Sequence, residues 1–444
     1  KGRAVRDARP TMVDERIDLI APDHLAVIIY TSGTTGRPKG AELTQDAIVY
    51  EAAAIHSIGI LDQNDLQFLW LPLSHVFGKI LLALPLQMGF PTAIDGKIDK
   101  IVDNLAVIKP TFMGAAPRIF EKAYARIAMT VEAETGIKRQ LMDWALGVGQ
   151  QAMELQSQGK PVGGLLAVQH AIADKLVLSK IRERFGGRVR FFISGSAALN
   201  KEIARWFGSV GLIILEGYGL TETSAATCVN RPSLGGYNYG TVGWPVPTTE
   251  VKLAEDGEIL VKGPGVMRGY RNRPDANAEV FDDDGFFRTG DIGEIDGNGF
   301  VKITDRKKDL FKTSGGKYIA PSLIESAFKA QCPYASQMLV FGDGRNYATA
   351  LITLDPDAIT GWAAANRMAG KSYAEISQSQ EVRDLLQGYL DTLNQGLNRW
   401  ETIKRFTVLD RDLTVDAGEL TPSLKLKRKH VAEKFKANLE ALYD

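Results

Sequence analysis

The stretch from Tyr30 to Gly40 reads Tyr-Thr-Ser-Gly-Thr-Thr-Gly-Arg-Pro-Lys-Gly, and these residue types suit the holding of an anion. Gly33, Gly36 and Gly40 allow a sharp loop whose backbone N–H groups can face a ligand. The hydroxyls of Thr31, Ser32, Thr34 and Thr35 and the ammonium of Lys39 add donors, so the stretch is expected to cradle phosphate. It is not a Walker A loop, because Lys39 follows Pro38 and is followed by Gly40 instead of a hydroxyl residue. A polar surface turn is the alternative that this stretch alone leaves open.

Further chemistry lies downstream. In Glu216-Gly217-Tyr218-Gly219-Leu220-Thr221-Glu222-Thr223 the aromatic ring could stack on a base and the glycines permit close approach. Glu222 could hold a divalent cation beside phosphates. Asp291 could accept from ribose hydroxyls, and Arg306 adds a planar cation nearby. His75 ends an apolar run, a usual address for ligand-facing groups in an α/β sheet. Taken singly, each has a bland reading: a commonplace Tyr-Gly turn, a turn charge at Asp291 or Arg306, a structural histidine at His75. The basic run Lys425 to Lys429 reads on composition as a solvated face or a surface for anions.

The elements that must position these residues follow from apolar patterning. Leu25 to Ile29 reads as a buried strand, with Thr44 able to cap a helix behind the loop, a strand-to-helix turn suited to phosphate. Phe68 to Leu71 is strand-like, Asp99 to Ile108 helical, and Thr111 to Met113 a further strand ahead of a long helical region. That region, Arg118 to about Phe185, carries Leu141, Trp144, Ala145 and Val148 on one face and breaks at Gly159 to Gly164. Arg188 to Ile193, a Ser194-Gly195-Ser196-Ala197 turn, a helix from Asn200 and a strand at Leu212 to Leu215 form a βαβ pattern and imply a parallel sheet. Gly240 to Gly299 has the punctuation of a small β-barrel or sheet. The remainder supports an α+β unit: a helix from Pro321, strands at Met338 to Phe341 and Ala348 to Leu354, a helix from about Tyr373 to Trp400, and a closing helix with Val431, Phe435, Leu439 and Leu442 on one face.

With 444 residues the chain exceeds one hydrophobic core, so at least two domains are expected. Hydrophobic residues at 45% and charged residues at 24% are ordinary for a globular protein. Basic and acidic residues both number 53, which speaks against a nucleic-acid partner recruited by bulk charge. Cys228 and Cys332 are too few for a disulfide framework, and a reducing, cytoplasmic setting is the simplest reading. No stretch reads as a transmembrane helix, since Ile80 to Phe90 is interrupted by Pro85 and Gln87.

Taken together the motifs resemble the adenylate-forming superfamily of acyl-CoA synthetases, nonribosomal peptide adenylation domains and luciferases. In order along nearly the whole chain stand Tyr-Thr-Ser-Gly-Thr-Thr-Gly-x-Pro-Lys-Gly, Leu-Pro-x-x-His, Gly-Tyr-Gly-Leu-Thr-Glu, Arg-Thr-Gly-Asp and Asp-Arg-x-Lys-Asp. The helical insertion before Gly186, the Pro-Arg-Ile-Phe-Glu-Lys run at Pro117 to Lys122 and the Thr-Pro-Ser-Leu-Lys-Leu-Lys-Arg ending are similar to bacterial long-chain fatty-acid-CoA ligases. The resemblance implies an α/β fold: a large AMP-binding domain over 1–306 with mixed and parallel sheets and a β-barrel-like subdomain near 240–305, then a small mobile α+β domain over 307–444.

It also implies a reaction. A long-chain fatty acid would be activated by ATP and magnesium to an acyl adenylate, and coenzyme A would then take the acyl group. Thr31 to Lys39 would hold the outer phosphates, Thr31 and Glu222 would hold magnesium, and Tyr218 with Gly217, Gly219 and Thr221 would line the nucleotide. Gly195, Ser196 and Ala197 would line the opposite side, Asp291 and Arg306 would hold ribose, and His75 would sit by the acyl carboxylate. Lys425 matches the family's mobile lysine, Lys308 its hinge, and the turn at Gly315 its pantetheine tunnel. Family members carry a sizeable segment before the phosphate loop, so the chain is expected to be N-terminally incomplete. Rival readings are a fatty acyl-AMP ligase serving a carrier protein and a catalytically silent nucleotide-binding regulator. A peripheral contact of Lys425 to Lys429 with anionic lipid at the inner membrane face is compatible with such a substrate. Neither oligomeric state nor chain-length preference is readable.

Overall fold

The computed structural model describes residues 2–31, 38–421 and 424–444, the side chains of residues 99, 132 and 133 apart. Its central element is a seven-stranded sheet in the order Thr92–Ile94, Gln67–Leu69, Phe112–Ala115, Phe191–Ser194, Ile213–Tyr218, Cys228–Val229 and Trp244–Pro245. The strands from Thr92–Ile94 to Ile213–Tyr218 run parallel and the last two antiparallel. Parallel strands need cover on both faces, which is why they read as apolar runs without alternation. Phe68, Phe112, Phe191 and Phe192 are fully buried here, and from neighbouring helices Phe120 meets Phe192 and Phe207 edge to face.

Beside it, Leu25–Thr31, Lys39–Thr44 and Gly269–Tyr270 form an antiparallel three-stranded sheet. This corrects the expected strand-to-helix turn at the phosphate loop. Thr31 pairs with Lys39 and Tyr30 with Gly40, so the intervening residues connect two paired strands. The short second strand buries Ala41 and Leu43, too brief a pattern to stand out in sequence. Thr44 does cap a helix, Gln45–Ser57, accepting from the Ala47 N–H at 3.2 Å.

The glycine-punctuated segment folds as a four-stranded antiparallel sheet, Glu250–Leu253, Glu258–Lys262, Phe287–Ile295 and Val301–Arg306. Beyond it a separate core gathers around Ala335–Phe341, Ala348–Leu354 and Ile403–Val408, with helices Pro321–Gln331, Pro356–Ala365 and Gln380–Gln395 packed on it. Three helical expectations are adjusted. The face expected to be buried in Gly136–Ser157 keeps Ala145 and Val148 inside but leaves Leu141 and Trp144 exposed. The helix expected near 373–400 is two, Tyr373–Ser377 and Gln380–Gln395, because Ser379 caps the second by accepting from the Val382 N–H. The closing helix divides at Phe435 into Arg428–Lys434 and Lys436–Glu440, with Leu442 beyond its end.

Candidate active site

A cavity of about 1180 Å3 opens at the carboxyl ends of the parallel strands, the usual ligand address of such sheets. His75 arrives after Gln67–Leu69, Gly195 and Ser196 after Phe191–Ser194, and Gly217, Tyr218 and Gly219 at the end of Ile213–Tyr218. Thr221 and Glu222 line it too, as do Thr31 and Lys39 from the antiparallel pair and Arg306 with Lys308 from the end of Val301–Arg306. The wall is completed by Lys425 and by aliphatic groups, Ile55, Ile60, Ile80, Leu81 and Leu84 among them.

Backbone geometry explains the small residues. Ser196 stands at φ 72°, and Ser224 and Ala225 at 58° and 107°, left-handed conformations that non-glycine residues adopt at a cost. A Cβ on Gly219 would collide with the Ala225 carbonyl, so only glycine lets the chain double back and present Thr221 and Glu222.

Side chains are held from behind. The Tyr218 hydroxyl donates to Asp291 Oδ2 at 2.7 Å, and Arg306 Nε donates to Asp291 Oδ1 at 3.0 Å. Asp291 is itself buried and does not line the cavity, so its role here is to fix the ring and the guanidinium that do. Tyr270, which sequence reasoning did not single out, joins two stretches that it did. Its hydroxyl donates to Glu222 Oε1 at 2.7 Å, and its ring lies 4.8 Å beneath the Lys39 ammonium. Nothing in a Gly-Tyr-Arg sequence signals that position. His75 caps the helix Val76–Met88, its Nδ1 accepting from the Phe77 N–H at 3.3 Å, which leaves the ring proton on Nε2. Burial first, then the Lys425 charge, lower its pKa from the ordinary 6.5, so the ring is neutral near pH 7.

Lys425 is presented by a hairpin. Leu420 and Leu426 pair across it, the Thr421 N–H donates to the Lys425 carbonyl at 2.8 Å, and Leu424 takes a left-handed φ of 64°. Burial and then the nearby Arg306 charge push the ammonium down to about 8. Within the basic run, Lys425 and Lys427 line the cavity and Arg428 donates to Glu325 Oε2 at 2.5 Å, so these three face inward, while Lys429 is exposed.

Some expected members stand elsewhere. Ala197 is exposed at the turn after Ser196 and does not line the cavity, because the chain leaves the wall at the strained Ser196. Gly315 lies in an exposed turn between the paired strands Phe311–Lys312 and Tyr318–Ile319, away from the lining. Ser32, Gly33, Thr34, Thr35 and Gly36 lie outside the described residues. Among those described, no helix is long and apolar enough to cross a membrane, and no three His, Cys, Asp or Glu side chains cluster to hold a metal.

Comparison with known proteins agrees along the length of the chain. Residues 3–271 match the family described as AMP-binding enzyme, and residues 308–444 the family described as AMP-binding enzyme C-terminal domain. The chain is 38% identical over 439 residues to the long-chain-fatty-acid--CoA ligase FadD15 of Mycobacterium bovis, covering 98% of this chain and 72% of that protein. Among solved structures, the adenylation domain of a carboxylate reductase from Mycobacterium chelonae superposes with a TM-score of 0.71 at 26% identity, covering 95% of this chain and 60% of that one. The corresponding domain from Segniliparus rugosus, solved with AMP and a co-purified carboxylic acid, superposes at 0.67 with 25% identity, covering 95% and 62%.

Proposed function

Because the chain belongs to the AMP-binding enzyme family, we propose that it activates a long-chain fatty acid with ATP as an acyl adenylate, releases pyrophosphate, and passes the acyl group to coenzyme A. The observation that carries this reading is one cavity lined by cations and glycine turns and also by Ile55, Ile60, Ile80, Leu81 and Leu84. Polar groups suit a nucleotide and a carboxylate, and the aliphatic wall suits an acyl chain.

A carboxylate is a poor acyl donor because its oxygen leaves badly. In the first step its oxygen attacks the α-phosphorus and the bond to pyrophosphate breaks; in the second the coenzyme A sulfur attacks the acyl carbon and AMP leaves. Catalysis of the first step is mainly positioning and charge stabilisation. Lys425 would bridge the carboxylate and the α-phosphate, keeping its proton on Nζ, while neutral His75 donates from Nε2 to the carboxylate. Tyr218, held by Asp291, would stack on adenine, and Arg306 would hold ribose. Lys39 with residues 32–36 would grip the outer phosphates.

Thr31 and Glu222 would hold magnesium. The residues fit that group, since magnesium takes one or two protein oxygens and completes its shell with phosphate and water, and Glu222 is fixed from behind by Tyr270. When bound it neutralises phosphate charge. The test is a panel of carboxylic acids of graded length with ATP and magnesium, with and without coenzyme A, read by mass spectrometry. Long acids should give acyl adenylate alone and acyl-CoA when the thiol is added; no adenylate from any acid, or a preference for short ones, would contradict the reading.

A further inference from the structure

Among the described residues, the ion pairs that tie the unit carrying Lys425 to the cavity-forming unit gather on one face of one helix, beside two hydrogen bonds, Ser322 to Asp305 at 3.3 Å and Asn200 to the Ser326 carbonyl at 3.4 Å. Helix Pro117–Ala133 is anchored in the large core by Phe120, which meets Phe192 and Phe207 edge to face. At positions 118, 121, 122 and 126 it turns charged side chains outward on a common face, as helical spacing requires. Arg118 Nη2 donates to Asp412 Oδ2 at 3.0 Å and to Ser336 Oγ at 2.6 Å. Lys329 Nζ donates to both oxygens of Glu121 at 3.0 Å, Lys122 reaches Asp355 at 3.0 Å, and Arg126 reaches Asp357 at 2.7 Å.

These pairs are graded. The side chains of Arg118, Asp412, Glu121 and Lys329 retain 11%, 14%, 9% and 19% of their exposure, whereas Arg126 and Asp357 keep 59% and 73%. Exposed pairs contribute little, but breaking a pair with a buried member leaves an uncompensated charge, so the orientation rests on the Arg118, Glu121 and Lys122 rungs, in which Arg118, Glu121 and Asp355 keep only 11%, 9% and 13%. Asp412 is also built into its own unit, accepting from the Thr353 hydroxyl at 2.7 Å and the Leu413 N–H at 2.8 Å. From there a chain of bonded groups leads toward the cavity. Arg411, beside Asp412, is bonded to the fully buried Glu419; the Thr414 N–H donates to Glu419 at 3.0 Å; and the Glu419 carbonyl accepts from the Lys427 N–H at 2.9 Å across the hairpin that presents Lys425.

We propose that Arg118, Glu121 and Lys122 are positioning residues, whose ion pairs with Asp412, Lys329 and Asp355 fix the small unit so that the Lys425 ammonium stands in the cavity. The catalytic consequence rests on the role given to Lys425 above. Two readouts separate the claims: the pH midpoint of Lys425 amine labelling, read by mass spectrometry, and fatty-acid-dependent exchange of labelled pyrophosphate into ATP. Glu121→Lys and Lys329→Glu each place two like charges at the rung, and the double exchange restores the pair. In the single variants the labelling midpoint should move from about 8 toward the ordinary value of about 10.4. Pyrophosphate exchange should fall about tenfold, while thiol transfer from supplied acyl adenylate stays within about twofold. The double variant should recover both readouts.

Lys122→Met, at a half-exposed rung, repeats the test if a single variant unfolds. The inference is overturned if the midpoint stays at its wild-type value, if thiol transfer falls in step with exchange, or if the folded double variant recovers neither readout. A moved midpoint with undiminished exchange would uphold the positioning and overturn the role given to Lys425.

Discussion

At the scale of single residues, the proposed chemistry draws on a depressed lysine, Lys425, and a neutral histidine, His75, in one cavity. Lys425 sits at about 8 because burial, and then the Arg306 charge, disfavour its ammonium. For a base with a lowered pKa the charged form is present below that value and is lost as pH rises through it. Adenylation by the free protein, measured as kcat/KM for the fatty acid, should therefore decline above about pH 8; a profile flat to pH 10 would show that the Lys425 charge is not needed. Sequence alone could find Lys425, Tyr218 and Arg306, because their motifs are contiguous. It could not find Tyr270 or the retreat of Asp291 behind the wall, because both depend on strands pairing across more than 200 and about 15 residues of chain.

At the scale of elements, the hairpin carrying Lys425 depends on one buried carboxylate. Burial alone would raise the Glu419 pKa, but hydrogen bonds from Arg411 and Lys434 and from the Thr414 N–H outweigh it and hold it at about 2. An acid with a lowered pKa stabilises the fold above its ordinary value of 4.5 and loses that contribution as pH falls toward about 2. Glu419→Ala should cost about 2 to 3 kcal/mol near pH 7, since the Thr414 donor loses its acceptor while the half-exposed cations keep water. Urea unfolding at pH 7 and pH 3 checks this: the variant should lose less stability than wild type over that interval, and an equal loss would remove Glu419 as the cause. The main strands and helices were legible because apolar runs and glycine or proline breaks mark them. The second strand of the phosphate-loop pair was not, because Lys39–Thr44 buries too few side chains to make a pattern, and the split in the final helix at Phe435 carries no breaker residue.

At the scale of the whole molecule, the proposal makes Lys425 act only while the small unit lies against helix Pro117–Ala133, and gives the second half-reaction to another orientation. Lys308 lines the cavity at the junction, immediately after Val301–Arg306. Lys308→Pro fixes φ there and also restricts Lys307, so adenylation should persist while thioester formation stops; normal overall turnover would place the hinge elsewhere. The order of the motifs made the two-part organisation legible, but no local pattern foretold the ion pairs between the parts, since each partner lies hundreds of residues from the other. The most direct measurement compares the two half-reactions in Lys425→Ala. Acyl adenylate formation from palmitate and ATP should fall at least about a thousandfold, as removal of a transition-state charge requires, with thiol transfer from supplied adenylate within about twofold of wild type. Equal loss in both steps, or adenylate formation at the wild-type rate, would contradict the account.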